Sequence, residues 1–133
     1  MSIERSAPDV GYVNPAVFEQ SNVSQTVRAN GIVWFSGIVA ATGNGESVAR
    51  GDPAAQVKFV LGILERLLQE EGLSFANLVA ATVYTPALEA VLEHLGIFAA
   101  AFAGHPPTFQ VIGIKNLPSP DYLLELVAVA AAT

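Results

Sequence analysis

Cysteine is absent from the 133 residues, and with it go disulfides, thiolate nucleophiles and metal sites built on cysteine. Basic residues are scarce: six Lys and Arg against twelve Asp and Glu leave a net charge of −6. The six are spread singly with no basic stripe, which argues against binding of a nucleic-acid backbone. No apolar run approaches the roughly 20 residues that cross a bilayer, and the longest beside a helix, Leu95 to Phe102, is far shorter. The start, Met-Ser-Ile-Glu-Arg-Ser-Ala-Pro-Asp, has neither the basic region nor the apolar core of an export signal. A cytoplasmic protein without membrane or nucleic-acid partners is the expectation.

Apolar residues, by contrast, are abundant. Hydrophobic content is 52% against 14% charged, more than a small soluble monomer can cover with polar surface. Part of that surface is expected between subunits of a symmetric homo-oligomer. The length suits one domain, residues 1–133.

Residues 1–20, with Pro8, Gly11 and Pro15, read as an irregular lead-in with a short edge strand. Val23 to Ala29 alternates, Asn30-Gly31 supplies a type I′ turn, and Ile32 to Val39 is rich in β-branched and aromatic residues, so a hairpin is expected. Ala40 to Arg50 reads as a loop. Its Thr42-Gly-Asn-Gly-Glu46 lacks the lysine and spacing of a phosphate-binding loop. Asp52 and Pro53 open a helix that runs to Glu71 and stops at Gly72, with Val57, Val60, Leu61, Leu64, Leu67 and Leu68 on one stripe. Lys58, Glu65, Arg66, Gln69 and Glu70 fall on its solvated side. Gly62 inside it suggests close approach by something else. Leu78 to Thr85 reads as a strand. Ala87 to Ala103 reads as a second helix with a structural His94 on it, stopped by Gly104.

The last two strands, Thr108 to Ile114 and Tyr122 to Ala131, are expected to form a closing hairpin across residues 115–121. The order hairpin, helix, strand, helix, hairpin implies a two-layer α+β domain, sheet on one side and two helices on the other. Its bare sheet face would be covered by association. Within the last run Glu125 is the single carboxylate among apolar neighbours. A carboxylate there must be protonated, hydrogen-bonded or set at a cavity, and a strand-end Glu facing solvent or a subunit contact is the alternative.

The hairpin from Val23 to Gly37, the stretch Gly72 to Tyr84, His105-Pro-Pro107 and the ending Asn116-Leu-Pro…Leu-Leu-Glu-Leu-Val-Ala-Val-Ala130 together resemble the reactive-intermediate deaminases, the RidA or YjgF-like family. The resemblance implies a chorismate-mutase-like fold and a homotrimer with small-molecule clefts between subunits. It also implies hydrolysis of enamines or imines such as 2-aminoacrylate without metal or organic cofactor; members are annotated too as endoribonucleases and chaperones. It assigns Glu125 as the cleft glutamate that holds or activates water, and Ser36 and Gly37 to the cleft lining. The carboxylate-binding arginine of the family is replaced by Phe109, its cysteine by Val111 and its tyrosine by Val23, so the cleft wall is expected to be apolar, with Trp34 helping to shape it. The turn before Glu125 resembles that of 2-aminomuconate deaminases, and Arg28, Arg50 or Lys115, reaching the cleft from a neighbouring subunit, is left as a substitute cation. A hydrophobic ligand, with or without imine hydrolysis, is expected in place of general 2-aminoacrylate deamination; a non-catalytic binding or interaction trimer is the alternative.

Overall fold

The first strand of the computed structural model, which describes residues 2–132, is β1 (Ile3–Ser6) at the sheet edge, antiparallel to β2 (Thr26–Ala29). Between them lies a helix that periodicity did not announce, α1 (Pro15–Gln20), six residues long and opened by proline. Asn30 and Gly31 have φ of 56° and 76°, the two positive angles that a type I′ turn requires. They join β2 to β3 (Ile32–Phe35), with Thr26 opposite Phe35.

After a break at Ser36-Gly37, β4 (Ile38–Val39) resumes the sheet. The expected loop then holds a small ribbon of its own, β5 (Ala41–Thr42) against β6 (Glu46–Ser47). α2 (Pro53–Glu70) begins as its sequence requires: Asp52 Oδ1 accepts from Ala55 N at 3.0 Å. The residues of its apolar stripe are all buried, joined by Gln56 and Ile63. A turn of 3₁₀ helix, Phe75–Asn77, leads into β7 (Leu78–Thr85).

The expected second helix is two helices, α3 (Leu88–Leu92) and α4 (Leu95–Ala101). The backbone leaves the helical region at His94 (φ −117°, ψ 20°), just before Gly96, a weak helix former. The break lets each piece pack its own apolar residue inward, Val91 from α3 and Phe98 from α4, and both pieces contact α2.

The closing hairpin is also corrected. β8 (Thr108–Gly113) pairs in parallel with β7, and β9 (Glu125–Ala131) lies between β3 and β7, antiparallel to both. The order is β1-β2-β3-β9-β7-β8, with β4 extending the β3 side of β9. A parallel neighbour needs a crossover of a dozen or more residues, and α3 and α4 supply it. The α+β class stands, and the helices cover one face.

That face carries Val33, Phe35, Val83, Leu124, Leu126, Ala128 and Ala130, all buried beneath α2 and its neighbours. The opposite face presents Trp34, Val127, Val129, Thr82, Tyr84 and Ile112, none of them buried. Trp34 is 45% exposed and Ile112 38%, so apolar surface is open here. No helix of the described residues is long and apolar enough to cross a membrane.

Candidate functional site

Glu125 opens β9, and the approach to it, Asp121 and Leu123, is fixed by buried polar side chains. Gln56, fully buried on α2, accepts from Leu123 N at 2.9 Å and donates to Asp121 O at 2.9 Å and Ala49 O at 3.2 Å. Thr85, at the end of β7, donates to Leu123 O at 2.6 Å. Leu123 is thus held by its N–H and its carbonyl, which sets the residue two positions on. Val39 and Tyr84 are the register partners of Glu125 on either side.

The Glu125 carboxyl lies over Gly37. A Cβ there would stand 2.5 Å from Glu125 Cδ and 2.8 Å from its Oε2, so the carboxyl keeps this position only against a glycine. The carboxyl makes no hydrogen bond among the described residues, and its partial burial raises its pKa above the ordinary value.

Gly37 also lines an open cavity of about 290 Å³, whose other walls include Val13, Val17, Phe18, Ser21, Val23, Asn44 and Gly45. The ribbon that carries Gly45 is tied down. Asn14 N donates to Gly43 O at 2.7 Å, Asn14 Nδ2 to Asn44 Oδ1 at 2.9 Å, and the Tyr122 hydroxyl to Gly45 O at 2.8 Å.

Tyr12 lines the same cavity. Its ring packs between Phe18 and Phe59, with centroids 6.5 and 6.4 Å away, and its hydroxyl accepts from Val39 N at 2.9 Å. Burial, with a smaller contribution from the Glu125 charge, pushes the phenol up to about 12, so it keeps its proton at neutral pH. Sequence reasoning passed over Tyr12 because the lead-in has no periodicity. It passed over Gln56 too, although a glutamine beside Val57 and Val60 on a buried stripe is a signal that a polar group is satisfied there.

Of the residues singled out from sequence, Glu125, Gly37 and Val23 come together. Ser36 adjoins them, its hydroxyl donating to Ser24 O at 2.6 Å. Trp34 shares the open sheet face with Glu125, opposite Val129 four residues further along β9, and is not among the residues lining the cavity. Phe109 and Val111 do share a strand face, but within one chain it is the opposite one from Glu125: their register partners are Ala81 and Val83, and Val83 pairs with buried Leu126. Phe109 packs its ring 5.1 Å from that of Phe98 and 5.4 Å from that of Phe102. The apolar wall of the cavity comes instead from α1 and the segments flanking it.

Within one chain none of the candidate cations lines the cavity. Arg28 points to the helix side and pairs with Glu71 at 3.5 Å, Arg50 sits 3.4 Å from Asp121, and Lys115 is exposed beyond β8. Among the described residues no three His, Asp or Glu side chains gather as a metal site would require.

A six-strand path with helices on one face and a cavity beside its central strand defines a two-layer α+β protein of YjgF type. The endoribonuclease L-PSP family profile matches residues 16–132, and the chain belongs to that family, the Rid/YjgF proteins. It is 24% identical over 107 residues to a RutC family protein of Pyrococcus abyssi, covering 80% of this chain and 84% of that one. Yeast Mmf1 superposes with TM-score 0.85 at 22% identity, over 99% of this chain and 100% of that chain. A YjgF family member from Mycobacterium tuberculosis gives 0.80 at 22%, over 98% and 99%. At these identities the solved structures establish the fold. The Rid protein YyfA of Yersinia pestis gives 0.73 at 25%, over 81% and 86%.

Proposed function

We propose that the cavity beside Glu125 is the ligand cleft of a Rid-type homotrimer, that it takes a small, partly hydrophobic ligand, and that the reaction is hydrolysis of an enamine or imine. One observation carries this reading. A half-buried carboxylate, raised in pKa and without a hydrogen-bond partner among the described residues, lies against Gly37, which lines a largely apolar cavity. A group so placed is a candidate general base.

In the reaction the water oxygen bonds to the imine carbon while Glu125 takes a proton from that water. The proton then passes to nitrogen, the carbon–nitrogen bond breaks, and a carbonyl compound and ammonia leave. No oxidant or reductant is needed. General 2-aminoacrylate deamination is not the reading, since no Lys or Arg is among the residues lining the cavity and a substrate carboxylate would meet Glu125 instead. That same lining favours the second reading, a trimer that binds an apolar ligand without turnover.

The open sheet face supports the trimer. It leaves Trp34 and Ile112 exposed in a single chain, and a second subunit is the simplest cover. A neighbour there would also bring its own residues to the cleft rim.

Imine hydrolysis, with the imines generated in situ by an amino-acid or amine oxidase, tests the chemistry on wild type and Glu125→Ala. Loss of turnover in Glu125→Ala with unchanged thermal stability is expected. Equal turnover in both would remove Glu125 from the reaction, and inert wild type would leave the binding reading. Sedimentation mass tests the assembly, with a monomer refuting it.

A further inference from the structure

Tyr12 precedes the residues that match the family, 16–132, yet it lines the cavity. Its hydroxyl oxygen already accepts from Val39 N, and Val39 is the register partner of Glu125. The proton of that hydroxyl finds no acceptor among the described residues. The carboxyl of Glu125 is likewise unbonded. Tyr12 lines the cavity beside Val13, Val17, Phe18, Val23 and the polar Ser21 and Asn44, and the Glu125 carboxyl lies against Gly37, another lining residue, near enough for its charge to act on the phenol, yet no hydrogen bond joins the two. The Tyr12 hydroxyl keeps a proton to donate and the half-buried Glu125 carboxyl keeps its oxygens to accept, so both have hydrogen-bonding capacity left for a ligand.

The pair constrains what fits. An ammonium head would satisfy Glu125 and leave the Tyr12 proton unanswered; a carboxylate head would meet the like charge of Glu125. An uncharged head that both gives and takes a hydrogen bond, such as a neutral imine or a hydroxyl, answers both. The space of about 290 Å³ holds a body of roughly ten non-hydrogen atoms on the scale of ~30 Å³ for a water molecule.

We propose that Tyr12 is a ligand-contacting donor which, opposite Glu125, selects an uncharged donor–acceptor head carried on an apolar body. This rests on the reading of the cavity as the ligand cleft. Aromatic ring packing on Phe18 and Phe59 holds the hydroxyl in place without a rotamer to freeze on binding.

Ligand-observed NMR titration of the full chain with benzyl alcohol, anisole and toluene as probes tests it, in wild type, Tyr12→Phe and Val23→Trp. Benzyl alcohol gives and takes a hydrogen bond, anisole only takes one and toluene does neither, so toluene is the control for any loosening of the cavity. The expected result is tighter binding of benzyl alcohol than of toluene by about tenfold in wild type, an advantage that vanishes in Tyr12→Phe while toluene is unaffected. Val23→Trp, at an exposed position that tolerates bulk, should weaken all three. Equal preference in wild type and Tyr12→Phe, with Val23→Trp still blocking, would overturn the role of Tyr12 and leave the cleft. Binding that ignores Val23→Trp would overturn the cleft and the proposal together.

Discussion

Gly37 and Glu125 share a space that only one of them fills: a Cβ on Gly37 would lie 2.5 Å from Glu125 Cδ and 2.9 Å from its Cγ. Gly37→Ala must therefore displace the carboxyl, at about 1–3 kcal/mol for an overpacked site. Glu125→Ala makes the room. The double variant Gly37→Ala/Glu125→Ala should accordingly be more stable than the sum of the two single changes predicts, read from urea midpoints in a double-mutant cycle. Strict additivity would mean that the two side chains do not compete.

Burial raises the Glu125 carboxyl above the ordinary 4.5. A carboxyl with a higher pKa folded than unfolded holds its proton more tightly in the native state. Its stabilising share is then present below the unfolded value and lost as pH rises through the folded one. Wild type should lose stability relative to Glu125→Gln between pH ~4 and neutrality, then run parallel to it. A difference that stays flat over that range would show a solvated carboxyl.

Gln56 makes three hydrogen bonds from full burial. Gln56→Ala strands two carbonyls and an amide, and about 3 kcal/mol of stability should go with them. Because Leu123 N is one of those groups, the pKa of Glu125, followed by NMR, should move too. A destabilised variant with an unmoved Glu125 titration would show that β9 is positioned by its ladder alone.

At Gly62 the close approach expected from sequence is not made within one chain: apart from its own helix backbone and chain neighbours, nothing among the described residues lies within 4 Å of where its Cβ would be. Gly62→Ala should raise helix stability by about 1 kcal/mol, seen as a higher melting temperature. A loss instead would point to a neighbouring subunit on that side of α2.

Local pattern made the first hairpin, α2 and β7 legible, since Asn30-Gly31, Asp52-Pro53 and the alternation of Leu78 to Thr85 each specify their own geometry. The two faces of β9 were readable from period two: Leu126, Ala128 and Ala130 are buried, and Glu125, Val127 and Val129 are not. Strand adjacency was not, because β8 and β9 follow one another in the chain while β7 separates them in space. Nothing local in Phe109 says which face of the sheet the helices will take. A resemblance could point to Glu125 and Gly37, but Tyr12 enters the cavity from the irregular lead-in just before α1, where no period exists to read.

The placement of β9 has a bearing on how the molecule comes together. Its neighbours β3 and β7 are both complete before residue 125 is reached, yet each has an unpaired backbone edge until β9 slots between them. A chain cut within residues 115–124 would keep α2 and its two flanking strand edges but carry an open slot at the centre of the sheet, the geometry that invites strand donation from another molecule. The last segment is thus the keystone of the fold as well as the carrier of its carboxylate. Supplied as a separate peptide, it is the piece that such a fragment would capture.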